Sequence, residues 1–338
     1  SEEISNQPTI TEFTKVDLTG GQEIEGAKMQ ILDQEGKVVE EWVSKKEAHV
    51  VYALAPGEYI LHEEQAPTEQ GYVRAEDVKF VVEETGDVQK VKMEDDHTKV
   101  SISKTDITDG KEIEGAKLQI LDQDGEVVES WTTGEEHLIE YLPVGTYTLH
   151  EEAAVDGYIV ANDVEFTVEE TGEIQKVKME DERAMGQLVI VKTDTDSKAA
   201  LEGVEFVLLE KETGKEVGRL KTGKDGKAVS ELLPIGTYEN GVFKEPITYV
   251  LKETATLKGY EKTEEEWEIV FTYQNDKTPV IEVVKEIQNK KIPETPGTVK
   301  PGPKTGDDTN WFLSLLALGV SAGMVAGLLY YRKRHKKA

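Results

Sequence analysis

Apolar and polar residues alternate in short runs along most of this chain. VSISK at 100–104, FTK at 13–15 and LVIVK at 188–192 each place a hydrophobic side chain at every second position. Period two marks β-strands, whose successive side chains point to opposite faces. Val, Ile, Thr and Tyr crowd these runs, and glycine-containing turns separate them. Helical periodicity is absent until the C-terminal end. The pattern predicts an all-β chain built of antiparallel sandwiches.

The runs also repeat. EIEGAKMQILDQEGKVVEEW at 23–42 returns as EIEGAKLQILDQDGEVVESW at 112–131, and GEYILHEEQAP at 57–67 returns as GTYTLHEEAAV at 145–155. ETGDVQKVKMEDD at 84–96 returns as ETGEIQKVKMEDE at 170–182. A diverged third copy carries LEGVEFVLLEKETGK at 201–215 and ITYVLKETATLKGY at 247–260. Each unit has the size of one domain. The expected division is 9–97, 98–184 and 185–291, after a short stretch at 1–8.

Three polar residues per unit break the rule that the buried phase is apolar. Lys104 shares a face with Val100 and Ile102, and Lys15 and Lys192 are placed alike. Glu63, Glu151 and Glu253 follow Tyr-x-Leu in phase, at YILHE, YTLHE and YVLKE. Asp95 and Asp181 continue the phase of Val-x-Met, and Asn289 that of Ile287. Asn275, in FTYQNDKT, reads as part of a turn. Charged lysines are almost never buried without a partner. Burial lowers a lysine pKa and raises a carboxyl pKa, which leaves a nucleophilic amine beside a protonated acid. Such an amine could attack the Asp or Asn side chain with the glutamate moving protons, giving an uncharged isopeptide bond. A buried ion pair is the alternative reading.

Composition narrows the partners. The 338 residues carry a net charge of -29 and contain no cysteine, so no disulfide can brace the fold. The acidity serves solubility and excludes nucleic acid, whose phosphates such a surface repels. No constellation suggests an external substrate, a phosphate loop, a cofactor or a metal centre. His62 and His150 lie on the outward phase. The loop at 194–197 lacks the spacing of a calcium-binding EF-hand loop. Trp42 and Trp131 hold equivalent positions and read as core packing. Nothing at Ser1 looks like a secretory leader, so the chain reads as a mature form or a fragment.

The end of the chain has a different character. Residues 292–310 are rich in Pro and Gly and read as an extended spacer. Residues 311–331, WFLSLLALGVSAGMVAGLLYY, carry no charge, and as a helix would span about 30 Å, the thickness of a bilayer core. The basic RKRHKK within 332–338 would hold that end in the cytoplasm.

The order K-T-D, E-G-A-x-x-x-(I/L), G-x-Y-x-L-x-E, G-Y and a terminal Asp or Asn resembles the collagen-adhesin B-type domains. These are also called prealbumin-like or SpaA-like pilin domains, of Gram-positive surface proteins. The resemblance covers about 9–291. It implies three immunoglobulin-like sandwiches, each closed by a glutamate-promoted Lys–Asp or Lys–Asn isopeptide bond. The implied trios are Lys15, Glu63 and Asp95; Lys104, Glu151 and Asp181; and Lys192, Glu253 and Asn289. The tail resembles a sortase sorting signal, with Pro303, Lys304, Thr305 and Gly306 matching the motif and Gly302 in its usual leucine place. That resemblance implies a transient encounter with sortase and covalent attachment of Thr305 to peptidoglycan. The expected protein is a non-enzymatic, wall-anchored surface stalk, with a passing membrane stage and an unnamed host or matrix ligand. A minor pilin, or the stalk of a surface enzyme whose catalytic domain lies upstream, are the alternatives.

Overall fold

The computed structural model describes residues 7–294. In the first repeat, β1 (Ile10–Asp17), β2 (Lys28–Leu32), β3 (Val38–Val43), β4 (His49–Tyr52), β5 (Gly57–Gln65), β6 (Val78–Val82) and β7 (Val88–Asp95) form two sheets. Their orders are β4-β1-β7 and β3-β2-β5-β6. The alternating side chains of both sheets meet in a core of Phe13, Met29, Ile31, Leu61, Val91 and Met93. The β2–β3 hairpin turns on Asp33, whose carboxylate accepts the N–H groups of Glu35 and Lys37. Gly36 sits there in the left-handed region at φ 78°, a position natural to glycine in such a turn.

The second repeat reproduces both sheets, with a short strand (Tyr158–Ile159) added beside its last strand. The third adds a hairpin of Gly236–Glu239 with Val242–Pro246. The all-β, three-sandwich architecture is therefore present. The expectation of uniformly antiparallel sheets needs one correction. The first and last strands of every repeat run parallel, Ile10–Asp17 beside Val88–Asp95, Lys99–Asp106 beside Ile174–Arg183, and Met185–Asp194 beside Val280–Asn289. Period-two alternation reports which face a side chain takes and carries no information on strand direction. The last strand returns from the opposite sheet and so can lie alongside the first with the same heading.

Successive repeats touch closely. Gly71, at φ 80°, lies so near the backbone of Tyr141 in the second repeat that an added Cβ would collide with it. Gly157, at φ 89°, stands in the same relation to Phe243 of the third, where the ring would be 2.8 Å from that Cβ. Gly259, at φ 88°, has nothing within 4 Å. Among the described residues no helix is long and apolar enough to cross a membrane. The sorting motif Pro303–Gly306, the span 311–331 and the basic tail 332–338 lie outside the described residues, as do residues 1–6 and the spacer beyond Glu294.

Candidate functional site

Strand pairing determines what each lysine meets. Lys15 on β1 lies opposite Met93 on β7, so Asp95, two residues on, shares its face as a diagonal neighbour. Lys104 stands in the same relation to Met179 and Asp181, and Lys192 to Ile287 and Asn289. The glutamate arrives from the other sheet, on β5 or its counterparts Gly145–Ala153 and Thr248–Ala255. In all three repeats the register slips immediately after this glutamate, leaving Glu64, Glu152 or Thr254 unpaired as a bulge. A bulge bends its strand and re-aims the neighbouring side chain. Here it sits directly beside the glutamate, which faces across the core within reach of the lysine.

The nine residues thus form three sealed groups, none more than 4% exposed. Each lysine Nζ is within hydrogen-bonding reach of its acceptor, Asp95, Asp181 or Asn289, the last at 2.5 Å. Each also reaches its glutamate, at 2.9 Å for Glu63, 2.9 Å for Glu151 and 3.0 Å for Glu253. The backbone N–H of Ala75 donates to Glu63 Oε2 at 2.7 Å, and that of Ala161 to Glu151 Oε2 at 2.6 Å. Asn275 is elsewhere: its side-chain oxygen accepts from the Lys277 N–H and the Thr278 hydroxyl, closing a turn.

Two carboxyl groups and one lysine in a dry core cannot all be charged without a surplus negative charge. The oxygens left over say where the balancing proton goes. Glu63 Oε1 and Asp95 Oδ2 are buried with no hydrogen-bond partner, and so are Glu151 Oε1 and Asp181 Oδ2. One proton shared by each carboxyl pair would satisfy both oxygens. Burial pushes the Asp95 carboxyl up to about 7 and Asp181 up to about 8; the lysine opposes the shift and the glutamate adds to it. In the third repeat burial pulls the Lys192 amine down, against the pull of Glu253. Burial thus favours a neutral acceptor in the first two sites and a neutral amine in the third, each a condition that helps an amine attack a carbonyl carbon.

A second set of residues escaped the reading of the chain. Two positions after each lysine stands Asp17, Asp106 or Asp194, buried at the far end of its sandwich. Asp17 accepts from the Tyr72 hydroxyl at 3.1 Å and from Tyr141 of the second repeat at 2.7 Å. Burial works to raise its pKa, but these hydroxyls and the Gly20 and Thr19 N–H groups hold it below the usual carboxylate range. Asp106 accepts from the Tyr158 hydroxyl at 2.8 Å and Arg183 at 2.6 Å, and the Arg183 guanidinium lies 4.1 Å from the ring centre of Tyr238 in the third repeat. The signal was available in the recurring K-x-D and G-Y, whose aspartate and tyrosine meet at the junctions. In the loop at 194–197 the Asp194 oxygen is engaged by the N–H groups of Asp196 and Ser197 and by the Ser197 hydroxyl, which closes a turn. The outward histidines pair with carboxylates, His62 with Asp77 and His150 with Asp163, both at 2.7 Å. Trp42 packs on Phe13 and stacks on His49, and Trp131 stacks on His137.

No curated protein matches the chain. Among solved structures, that of the Bacillus anthracis TIE protein is similar at 28% identity with a TM-score of 0.56, covering 84% of this chain and 51% of its own. The present chain therefore spans about half the length of that relative. BcpA, the major pilin subunit of Bacillus cereus, matches at 15% identity and a TM-score of 0.47, over 85% of this chain and 100% of its own. A Streptococcal ancillary pilin matches at 16% identity and a TM-score of 0.34, over 85% and 100%. The SpaA family, a prealbumin-like fold domain, matches residues 9–97, 98–183 and 186–246. Three consecutive matches cover most of the sequence, and the chain belongs to the SpaA family of prealbumin-like fold domains.

Proposed function

We propose that this chain is the shaft of a wall-anchored surface protein whose three domains close themselves with isopeptide bonds. The observation that carries the reading is the sealed lysine–glutamate–acceptor trio, repeated three times with every amine in reach of its acceptor. In each, Nζ bonds to the side-chain carbonyl carbon of the acceptor. The glutamate takes a proton from the amine and delivers it to the departing group. Water leaves Asp95 and Asp181, ammonia leaves Asn289, and the glutamate ends as it began. The amide is uncharged, which removes the cost of burying ions.

The intact mass of the full chain should fall short of the sequence mass by two waters and one ammonia. Branched tryptic peptides should join the segments of Lys15 and Asp95, Lys104 and Asp181, and Lys192 and Asn289. Unmodified lysine peptides at full intensity would return the trios to buried ion pairs. Anchoring rests on the order of motif, apolar span and basic tail in the sequence. On that reading Thr305→Ala shifts the protein from the wall fraction to the membrane or medium, and an unchanged wall fraction rejects the site.

A further inference from the structure

The third trio differs from the others in a second residue besides its acceptor. The Asn289 side-chain nitrogen donates to Glu253 Oε1 at 2.7 Å and also to Thr256 Oγ1 at 2.7 Å. Thr256 lies three positions after the glutamate, where the first two repeats have Ala66 and Ala154. The difference follows the chemistry of the acceptor. A carboxyl group has at most one hydrogen to place, whereas an amide nitrogen has two. Only the asparagine needs a second acceptor, and only its repeat supplies one.

We propose that Thr256 is a positioning residue specific to the asparagine acceptor. By taking one N–H while Glu253 takes the other, it holds the amide with Oδ1 toward Lys192 Nζ and the nitrogen toward the proton carrier. The opposite orientation would face the lysine with the leaving group. The proposal rests on the crosslinking reading above. Its step is balanced: Nζ–Cγ forms, Cγ–Nδ2 breaks, one proton passes from Nζ through Glu253 to Nδ2, and ammonia departs.

The test follows bond formation in the full chain, synthesised cell-free into denaturant and then refolded. The readout is the branched peptide of each repeat against time. Thr256→Ala should slow the Lys192–Asn289 bond by about five- to tenfold, the scale of one lost hydrogen bond. The bonds of the first two repeats should form at the parent rate in the same tube. Thr256→Ser should restore the third. With Asn289→Asp as background, Thr256→Ala should have no effect, since the acid has no second N–H. Thr256→Ala at the parent rate overturns the proposal, as does equal slowing in both backgrounds, which would mark a merely structural role. If the parent forms the first two bonds and never the third, the proposal falls with the third bond. If it forms none, the crosslinking reading itself fails.

Discussion

At the two aspartate acceptors a single proton decides between reaction and deadlock. A neutral carboxyl can lose hydroxyl to an amine, whereas a carboxylate repels the nucleophile. With Asp95 raised to about 7 and Asp181 to about 8, bond formation should fall as pH rises through those values, first in repeat one and then in repeat two. Asn289 has no such proton to lose. Refolding the chain at a series of values from about pH 5 to about pH 10, with branched peptides counted at a fixed time, checks the order. Loss of the third bond before the first overturns it. The same shifts set a stability trend before reaction. Between the ordinary carboxyl value of 3.8 and the raised value, the folded acid keeps a proton that the unfolded one has lost. The folded state then binds more protons, and stability falls as pH rises through that window. Lys104→Met keeps both carboxyls of its repeat and removes the cation that opposes the shift. That repeat should show the falling trend in melts, while a closed parent repeat no longer has the Asp181 carboxyl to titrate.

The elements show how far the chain could be read in advance. Phase alone brought Lys104, Glu151 and Asp181 onto buried faces, because alternation is a property of any strand. It could not reveal that the first and last strands are parallel neighbours, nor that a bulge at Glu152 follows Glu151. Both depend on pairing between segments far apart in sequence, which no local pattern encodes. Thr256 was invisible for a related reason. It is an ordinary residue past the end of a strand until the fold sets it beside Asn289. The parallel pair also governs how a repeat meets force. The chain enters at the start of the first strand and leaves at the end of the last, so tension shears the two strands along their length. A bond between them near the exit carries that load directly. On the proposed reading it would close loops spanning 80, 77 and 97 positions. By the chain-entropy estimate made for disulfides, each closure contributes on the order of 4–5 kcal/mol.

On the scale of the whole chain, the junctions decide whether three sandwiches act as one shaft. Gly71 and Gly157 pair a left-handed backbone with the close approach of the following repeat, while Gly259 keeps the backbone and lacks the neighbour. Alanine at either kind of position costs about 1–2 kcal/mol for the left-handed conformation. Gly157→Ala should in addition push Phe243 and Tyr238 away and loosen the second junction. Proteolysis between the second and third repeats should therefore quicken in Gly157→Ala and stay at the parent rate in Gly259→Ala. Equal rates in the two variants would mean that the contact does not brace the junction.

The proposed closure beside the exit of each repeat would also change what the chain is as a polymer. Once joined at Lys15–Asp95, Lys104–Asp181 and Lys192–Asn289, it is no longer a line but three rings on a string. The bridges between rings are only nine peptide steps, from Asp95 to Lys104, and eleven, from Asp181 to Lys192. At about 3.4 Å per residue the bridges add at most about 70 Å of slack, against roughly 900 Å for the same stretch as an open line. Even boiled in detergent, such a molecule stays compact and runs on a gel apart from its linear counterpart. A protease that nicks a ring once opens it without releasing a fragment.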